Sequence, residues 1–129
     1  MVRHDTRIDK KIAGPAWNEI RGQLQDIHEV LLKTSESTAS ELTTIYVKYK
    51  VRDEPLGGTF AVLWVKTPKN VVLGLATPEQ IDHKAVTPAP QGMTYKGLTS
   101  YLKIEAQKPI PDELSQWAMT AFTHVCNQS

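Results

Sequence analysis

The segment TFAVLWVKTPKNVVLGLA, residues 59–76, consists of two apolar runs on either side of a polar turn at 67–70. β-Branched and aromatic residues dominate both runs, and the turn contains a proline, which together predict a β-hairpin. We expect Lys66 to lie opposite Val71. On that register one face carries Phe60, Val62, Trp64, Val71, Leu73 and Leu75, and the other carries Ala61, Leu63, Val65, Val72, Gly74 and Ala76.

Both faces of this predicted hairpin are apolar, which restricts its place in the fold. A strand pair of this kind must sit centrally in a sheet, with each face at least partly covered by helices, a long loop, a partner chain or a ligand. We therefore expect functional contacts where that cover is incomplete.

Helices are predicted on both sides of the hairpin in sequence. Pro15, followed by apolar residues at steps of three and four, predicts an amphipathic helix over 15–33. Pro111, followed by two carboxylates, predicts the start of a C-terminal helix. The expected apolar stripe of that helix consists of Leu114, Trp117, Ala118, Ala121, Phe122 and Val125.

Alternating apolar and polar residues over 45–52 and 99–106 predict two further strands. The small polar residues of 34–41 predict a loop, Thr77 is expected to cap a short helix, and 84–98 predicts a long irregular loop. The expected fold is α+β, an antiparallel sheet of about four to five strands packed by an N-terminal and a C-terminal helix.

The composition predicts a single domain over residues 1–129, with residues 1–14 as a loose N-terminal arm. The 15 basic and 14 acidic side chains leave a net charge of +1, which gives no overall field for nucleic acid or anionic lipid. The single cysteine, Cys126, excludes an intrachain disulfide, and the first residues, MVRHDTRIDKK, lack the apolar core of a secretory signal, so we predict a cytoplasmic location. No apolar run is long enough to span a membrane, and no cofactor motif is present, so we predict no membrane contact and no cofactor.

The loop 84–98 supplies the first candidate site. Met93, Thr94, Tyr95 and Lys96 lie between Gly92 and Gly97, and together with Trp64 they could line a site for an anion or a small polar ligand. The alternative is a connection across the sheet in which Met93 and Tyr95 fill the core.

The strand over 45–52 supplies the second candidate site. Lys48, Lys50 and Arg52 could contact phosphates while Tyr46 stacks on a base, which would make this face a weak binder of single-stranded nucleic acid. The alternative is a solvated strand face whose charges discourage pairing with other sheets.

An enzyme is the third hypothesis, with His83, Asp82 or Lys96 as the acid or base near the 82–97 loop. No set of nucleophile, base and orienting group can be assembled from sequence, so no catalytic residue is assigned. His28 is interpreted as a histidine at the core boundary, and Cys126 as a buried inert thiol beside His124. No metal site is predicted.

The segment YKGLTSYLKI, residues 95–104, leading into PDELSQWAMTAF, residues 111–122, resembles the YdhG-like group of small domains. The resemblance implies an α+β domain with helices against an antiparallel sheet. Some members of that group are linked to iron delivery in the manner of frataxin, which depends on an acidic surface. Because Glu36, Glu41 and Asp112-Glu113 form no dense carboxylate ridge, iron binding is not carried over to this chain.

The sequence therefore favours a non-enzymatic module that binds a small polar ligand or a protein partner. A second copy of the chain is one partner that the sequence leaves open. A small enzyme with a site near 82–97 and a weak binder of single-stranded nucleic acid remain the alternatives.

Overall fold

The computed structural model describes residues 10, 12–35, 38–43, 46–51, 58–65, 69–87, 89, 95 and 97–127. Two α-helices lie within these ranges, α1 (Arg21–Leu32) and α2 (Leu114–Asn127). The strands are β1 (Thr38–Leu42), β2 (Tyr46–Val51), β3 (Thr59–Trp64), β4 (Asn70–Leu75), β5 (Val86–Thr87) and β6 (Ser100–Glu105). They form one antiparallel sheet of order β1-β2-β3-β4-β6-β5, which confirms the α+β prediction with six strands instead of four to five.

The hairpin of β3 and β4 occupies the centre of the sheet, as its sequence predicts. Every residue of β3 and all but the first of β4 are buried. Leu63 and Trp64, which point to opposite faces, are 1% and 3% exposed, respectively. Both faces of the hairpin are therefore covered.

The register of this hairpin differs from the prediction by one residue. Leu63 pairs with Leu73 and Trp64 with Val72, so Trp64 shares a face with Val72 and not with Leu73. Asn70 begins β4 instead of ending the turn, and this moves every β4 side chain to the opposite face from the one predicted.

A β-bulge corrects the predicted position of Phe60. Tyr49 pairs with Ala61 and Lys50 with Thr59, so Phe60 is an extra residue on β3. Its ring packs edge-on against Phe122 of α2, with the ring centroids 5.3 Å apart. Phe60 therefore belongs to the side of the sheet that faces the helices, whereas the prediction placed it beside Trp64.

Both helices pack on one face of the sheet, which we call the helix face. Five residues of the predicted α2 stripe are buried there, Leu114, Trp117, Ala118, Ala121 and Val125, and Phe122 is partly buried. From the sheet, Val47, Tyr49, Leu63, Leu73, Leu75, Leu102 and Ile104 join this core. The main core thus lies between the sheet and the two helices.

The opposite face carries a second, smaller cluster, which we call the aromatic face. Its buried residues are Val62, Trp64, Val72 and Tyr101, and Tyr46, Tyr95 and Leu98 pack against them as partly buried residues. In the ranges that the structure describes, no helical residue belongs to this cluster.

Three segments differ from the predicted loops and helices. Residues 38–42 form β1 instead of a loop, because their backbone pairs with β2 along the whole strand. Thr77 caps no helix; its hydroxyl donates to the carbonyl of Glu79 and contacts the hydroxyl of Ser100, which fixes the segment after β4 on β6. The predicted loop 84–98 contains the two-residue strand β5.

The start of the chain also differs from the prediction. A short 3-10 turn at Pro15–Trp17 precedes α1, which begins only at Arg21. Ile12 is buried, and the Arg21 guanidinium donates to the carbonyls of Ile12 and Gly14 at 2.7 and 2.6 Å. The end of the predicted loose arm is therefore packed, and residues 1–9 lie outside the described ranges.

Neither helix of the described ranges has the length and apolar content that a bilayer crossing requires.

Candidate functional site

Two rows of cross-strand neighbours build the aromatic face. In the first row Tyr46 lies beside Trp64, and Val72 and Lys103 follow across β4 and β6. The second row contains Glu41, Lys48, Val62, Gly74, Tyr101 and Thr87 in order from β1 to β5. Apolar and aromatic residues occupy the middle of both rows, and charged residues lie toward the outside.

Four aromatic rings meet on this face. Tyr46 lies 5.8 Å from Trp64 and 6.1 Å from Tyr95, and Trp64 lies 6.2 Å from Tyr101, measured between ring centroids. Trp64 and Tyr101 are buried, whereas Tyr46 and Tyr95 are half-buried. Two partly exposed tyrosines therefore lie next to a buried tryptophan on this surface.

The segment after Tyr95 lies directly on the sheet. The Tyr95 backbone N–H donates to the Tyr101 hydroxyl at 3.4 Å. Leu98 packs over Gly74 so closely that a Cβ atom on that glycine would lie 2.5 Å from Leu98 Cδ1. The absence of a side chain at Gly74 is what lets this segment approach the aromatic face.

The structure brings together two of the five residues predicted for the ligand site. Trp64 and Tyr95 both contact Tyr46, a residue that the sequence assigned to a different hypothesis. The other three, Met93, Thr94 and Lys96, lie outside the described residues. The cross-strand pairing of Tyr46 with Trp64 is the signal that sequence reasoning missed, since it depends on the register between β2 and β3.

Lys48 and Lys50 of the predicted basic row both lie near one carboxylate, that of Glu41. Glu41 accepts a hydrogen bond from Lys50 at 2.9 Å, and its other oxygen lies 3.8 Å from the Lys48 ammonium. The three side chains together carry one net positive charge. Lys48 and Lys50 therefore share one carboxylate, and Arg52 lies outside the described residues.

The predicted acid or base His83 has both ring nitrogens engaged by the protein. Its Nδ1 accepts from the Ala85 backbone N–H at 3.0 Å, so Nε2 carries the proton of the neutral ring and faces Glu113 at 3.3 Å. The ring also packs against Trp117, with centroids 5.0 Å apart. This arrangement fixes the 83–85 turn on α2 and engages both ring nitrogens within the protein.

The other members of the enzyme hypothesis are not assembled around His83. Asp82 is exposed, and Lys96 lies outside the described residues. Within the ranges that the structure describes, no three histidine, cysteine or carboxylate side chains come together as a metal site. Cys126, expected to be a buried thiol, is half-buried.

His28 is a core histidine and not the boundary residue that the sequence predicted. Its Nδ1 lies 2.6 Å from the Tyr49 hydroxyl, and both side chains are buried between α1 and the sheet. Burial raises the pKa of Tyr49 far above its ordinary value, so the hydroxyl stays protonated and can donate to Nδ1. The pair connects α1 to β2 on the side of the sheet away from the aromatic face.

Two grooves lie away from the aromatic rings. A cavity of about 140 Å³ follows β6 and is lined in part by Lys103, Lys108 and Pro109. A second, wider groove on the outer side of α2 contains Met119, the one large hydrophobic residue that is exposed in the described part of the chain. Among the described residues, no phenylalanine, tyrosine or tryptophan lines either groove.

Comparison of the chain with protein-family models, curated proteins and solved structures finds no match. The resemblance to the YdhG-like group therefore stays a prediction that rests on the sequence of 95–104 and 111–122.

Proposed function

We propose that this protein is a non-enzymatic binding module and that the aromatic face is its ligand site. One observation carries the proposal. Val62, Trp64, Val72 and Tyr101 are buried on the side of the sheet opposite both helices, and the cover that the described residues provide there is the partly exposed segment of Tyr95 and Leu98.

An antiparallel sheet packed by helices on one side commonly presents polar residues to water on the other. This chain instead places a tryptophan, three tyrosines and two valines on the second side. Aromatic surfaces bordered by a few polar groups are typical of small-molecule sites, because rings give large contact areas and polar groups set the orientation.

The two alternatives have less support in the geometry. The enzyme hypothesis names His83, Asp82 or Lys96 as the acid or base, and of these His83 has both ring nitrogens engaged by Ala85 and Glu113. The nucleic-acid hypothesis names Tyr46, Lys48, Lys50 and Arg52, and Glu41 partly neutralises the charge of Lys48 and Lys50. We keep the prediction of a cytoplasmic location, which rests on the single cysteine.

The test is a thermal-shift screen of metabolites, followed by NMR of the tryptophan indole N–H groups. A compound that binds only the folded chain raises its melting temperature. We expect such compounds to shift the Trp64 indole resonance and to leave that of Trp117, on the helix face, unchanged. Stabilising compounds that all leave Trp64 unchanged, or a screen without any stabilising compound, would contradict the proposal.

Two substitutions localise the site. Tyr46→Ala removes a half-buried ring that contacts both Trp64 and Tyr95, and we expect it to weaken binding at least tenfold. Met119→Ala removes an exposed apolar side chain in the groove on α2 and serves as the control, with no expected change. Weakening by Met119→Ala alone would move the site to that groove.

A further inference from the structure

We infer that the ligand of the aromatic face is a compact aromatic anion, whose acidic group binds the Lys48 ammonium and whose ring packs against Tyr46. This inference rests on the proposed function and specifies the chemical class of its ligand. It depends on the position of Lys48, on the weak pairing of its ammonium group and on the local charge.

Lys48 lies inside the rows that build the aromatic face. It follows Tyr46 by two residues on β2, so both side chains point to the same side of the sheet. Its cross-strand neighbours are Glu41 and Val62, and Val62 is fully buried. The Lys48 side chain is only 22% exposed, because its aliphatic part covers apolar neighbours.

The ammonium group of Lys48 pairs only loosely with a carboxylate. Its nearest carboxylate oxygen, on Glu41, lies 3.8 Å away, which is beyond hydrogen-bond distance. Within the described residues this is the one ion pair of Lys48, whereas Lys50 takes the other Glu41 oxygen at 2.9 Å. The three N–H donors of this ammonium group are therefore available to an acidic group of a ligand.

The local charge fits a ligand with one acidic group. Glu41 lies between the ammonium groups of Lys48 and Lys50, so these three side chains sum to one positive charge and favour an acidic ligand. Side chains two residues apart on one face of a strand are separated by about 7 Å. That spacing matches a ring on Tyr46 joined by a short linker to an acid on Lys48.

The same chemistry occurs in aromatic carboxylic acids and in nucleoside monophosphates. Indole-3-acetate and AMP represent the two sources, and their neutral counterparts, indole-3-acetamide and adenosine, keep the ring and remove the charge. Inorganic phosphate tests the charge without a ring. A ten-residue oligothymidylate tests whether a nucleic-acid strand binds instead.

The experiment is an NMR titration of each probe, followed through the Trp64 indole resonance. We expect at least one of the two acids to bind ten times or more tightly than its neutral counterpart, and more tightly than inorganic phosphate. Equal affinity of acids and neutral counterparts would overturn the inference while leaving the proposed function intact. Binding of the oligothymidylate alone would also overturn it. The proposed function is judged separately, by the response of Trp64 to the metabolite screen.

Matched variants test the role of Lys48. Lys48→Met should abolish the preference for the acid, whereas Lys33→Met removes the same charge from the end of α1 and should preserve it. Glu41→Gln removes the carboxylate that competes for Lys48 and should tighten binding of the acid severalfold. A preference that survives Lys48→Met, or that disappears equally in Lys33→Met, would overturn the assignment. Melting temperatures of the three variants establish that each is folded.

Discussion

The Tyr49 hydroxyl, bonded to His28 inside the core, is a single group whose removal has a measurable cost. Tyr49→Phe leaves Nδ1 of a buried histidine without its 2.6 Å partner. We expect a loss of about 1–3 kcal/mol in the free energy of unfolding, measured by urea denaturation. Tyr46→Phe changes the same group on a half-buried ring and should cost much less. Equal effects of the two substitutions would contradict the role given to the pair.

The same hydroxyl predicts how stability depends on alkaline pH. Burial raises the pKa of Tyr49 above its ordinary value of 10.0. Below that value the folded and unfolded chains both keep the proton, and the stabilisation is complete. Above about pH 10 the unfolded chain releases the proton while the folded chain retains it, so the free energy of unfolding falls as pH rises. Urea denaturation across this range should show a shallower fall for Tyr49→Phe than for the unmodified chain.

Two buried threonines should respond in opposite directions to the same substitution. In the described part of the chain, the Thr38 hydroxyl is buried without a hydrogen-bond partner. Thr38→Val should therefore stabilise the chain by about 1 kcal/mol, because it removes an unsatisfied polar group. The Thr77 hydroxyl contacts Glu79 and Ser100 at 2.6 and 2.8 Å, so Thr77→Val should destabilise it by about 1–3 kcal/mol. Urea denaturation decides both signs, and a loss of stability in Thr38→Val would indicate that its hydroxyl is satisfied in solution.

Between elements, the contact of Gly74 with Leu98 controls how Leu98 lies on the sheet. A methyl group at Gly74 would lie 2.5 Å from Leu98 Cδ1 and 3.1 Å from Tyr101 Cε2. Gly74→Ala should cost about 1–3 kcal/mol, through displacement of Leu98. Combining it with Leu98→Ala should recover at least about 0.5 kcal/mol relative to the sum of the single changes. Strict additivity in a double-mutant cycle would contradict this contact.

The elements that the sequence predicts correctly are those with a local periodic signal. The alternation in β2 and β6 and the apolar stripe of α2 are visible in a single segment, and each was placed to within a few residues. Strand β1 has no such signal, since Thr38, Ala39 and Ser40 are small, and only pairing with β2 makes them a strand. Strand β5 has two residues, too few for any pattern.

The register of the central hairpin was not predictable for a physical reason. A difference between an apolar and a polar face normally fixes the register of a strand pair. Here both faces are apolar, so a shift by one residue leaves the pattern unchanged. For the candidate site, Trp64 and Tyr95 were predicted, but the place of Tyr46 beside Trp64 follows only from the observed pairing of β2 with β3.

At the scale of the whole molecule, the helices leave the two sides of the sheet with different kinds of cover. The helix face is packed by α1 and α2 through a large apolar core, whereas the aromatic face is packed by Tyr95 and Leu98 in the described residues. Helices therefore bury one side of the sheet, whereas Tyr95 and Leu98 help to bury the other. A change at Gly74 therefore acts on the packing of the aromatic face, whereas a change at Tyr49 acts inside the core between the sheet and the helices.

The strand order also has a consequence for folding kinetics. Strands β1 to β4 are neighbours in the same order as in the chain, whereas β6 reaches β4 only after the chain has passed from Leu75 to Ser100. Closing that longer loop costs more entropy than forming a hairpin, so the transition state for folding should contain β2 to β4 before β6 docks. Leu63→Ala should then slow folding, and Leu102→Ala should mainly accelerate unfolding, in denaturant-dependent kinetics of the two variants.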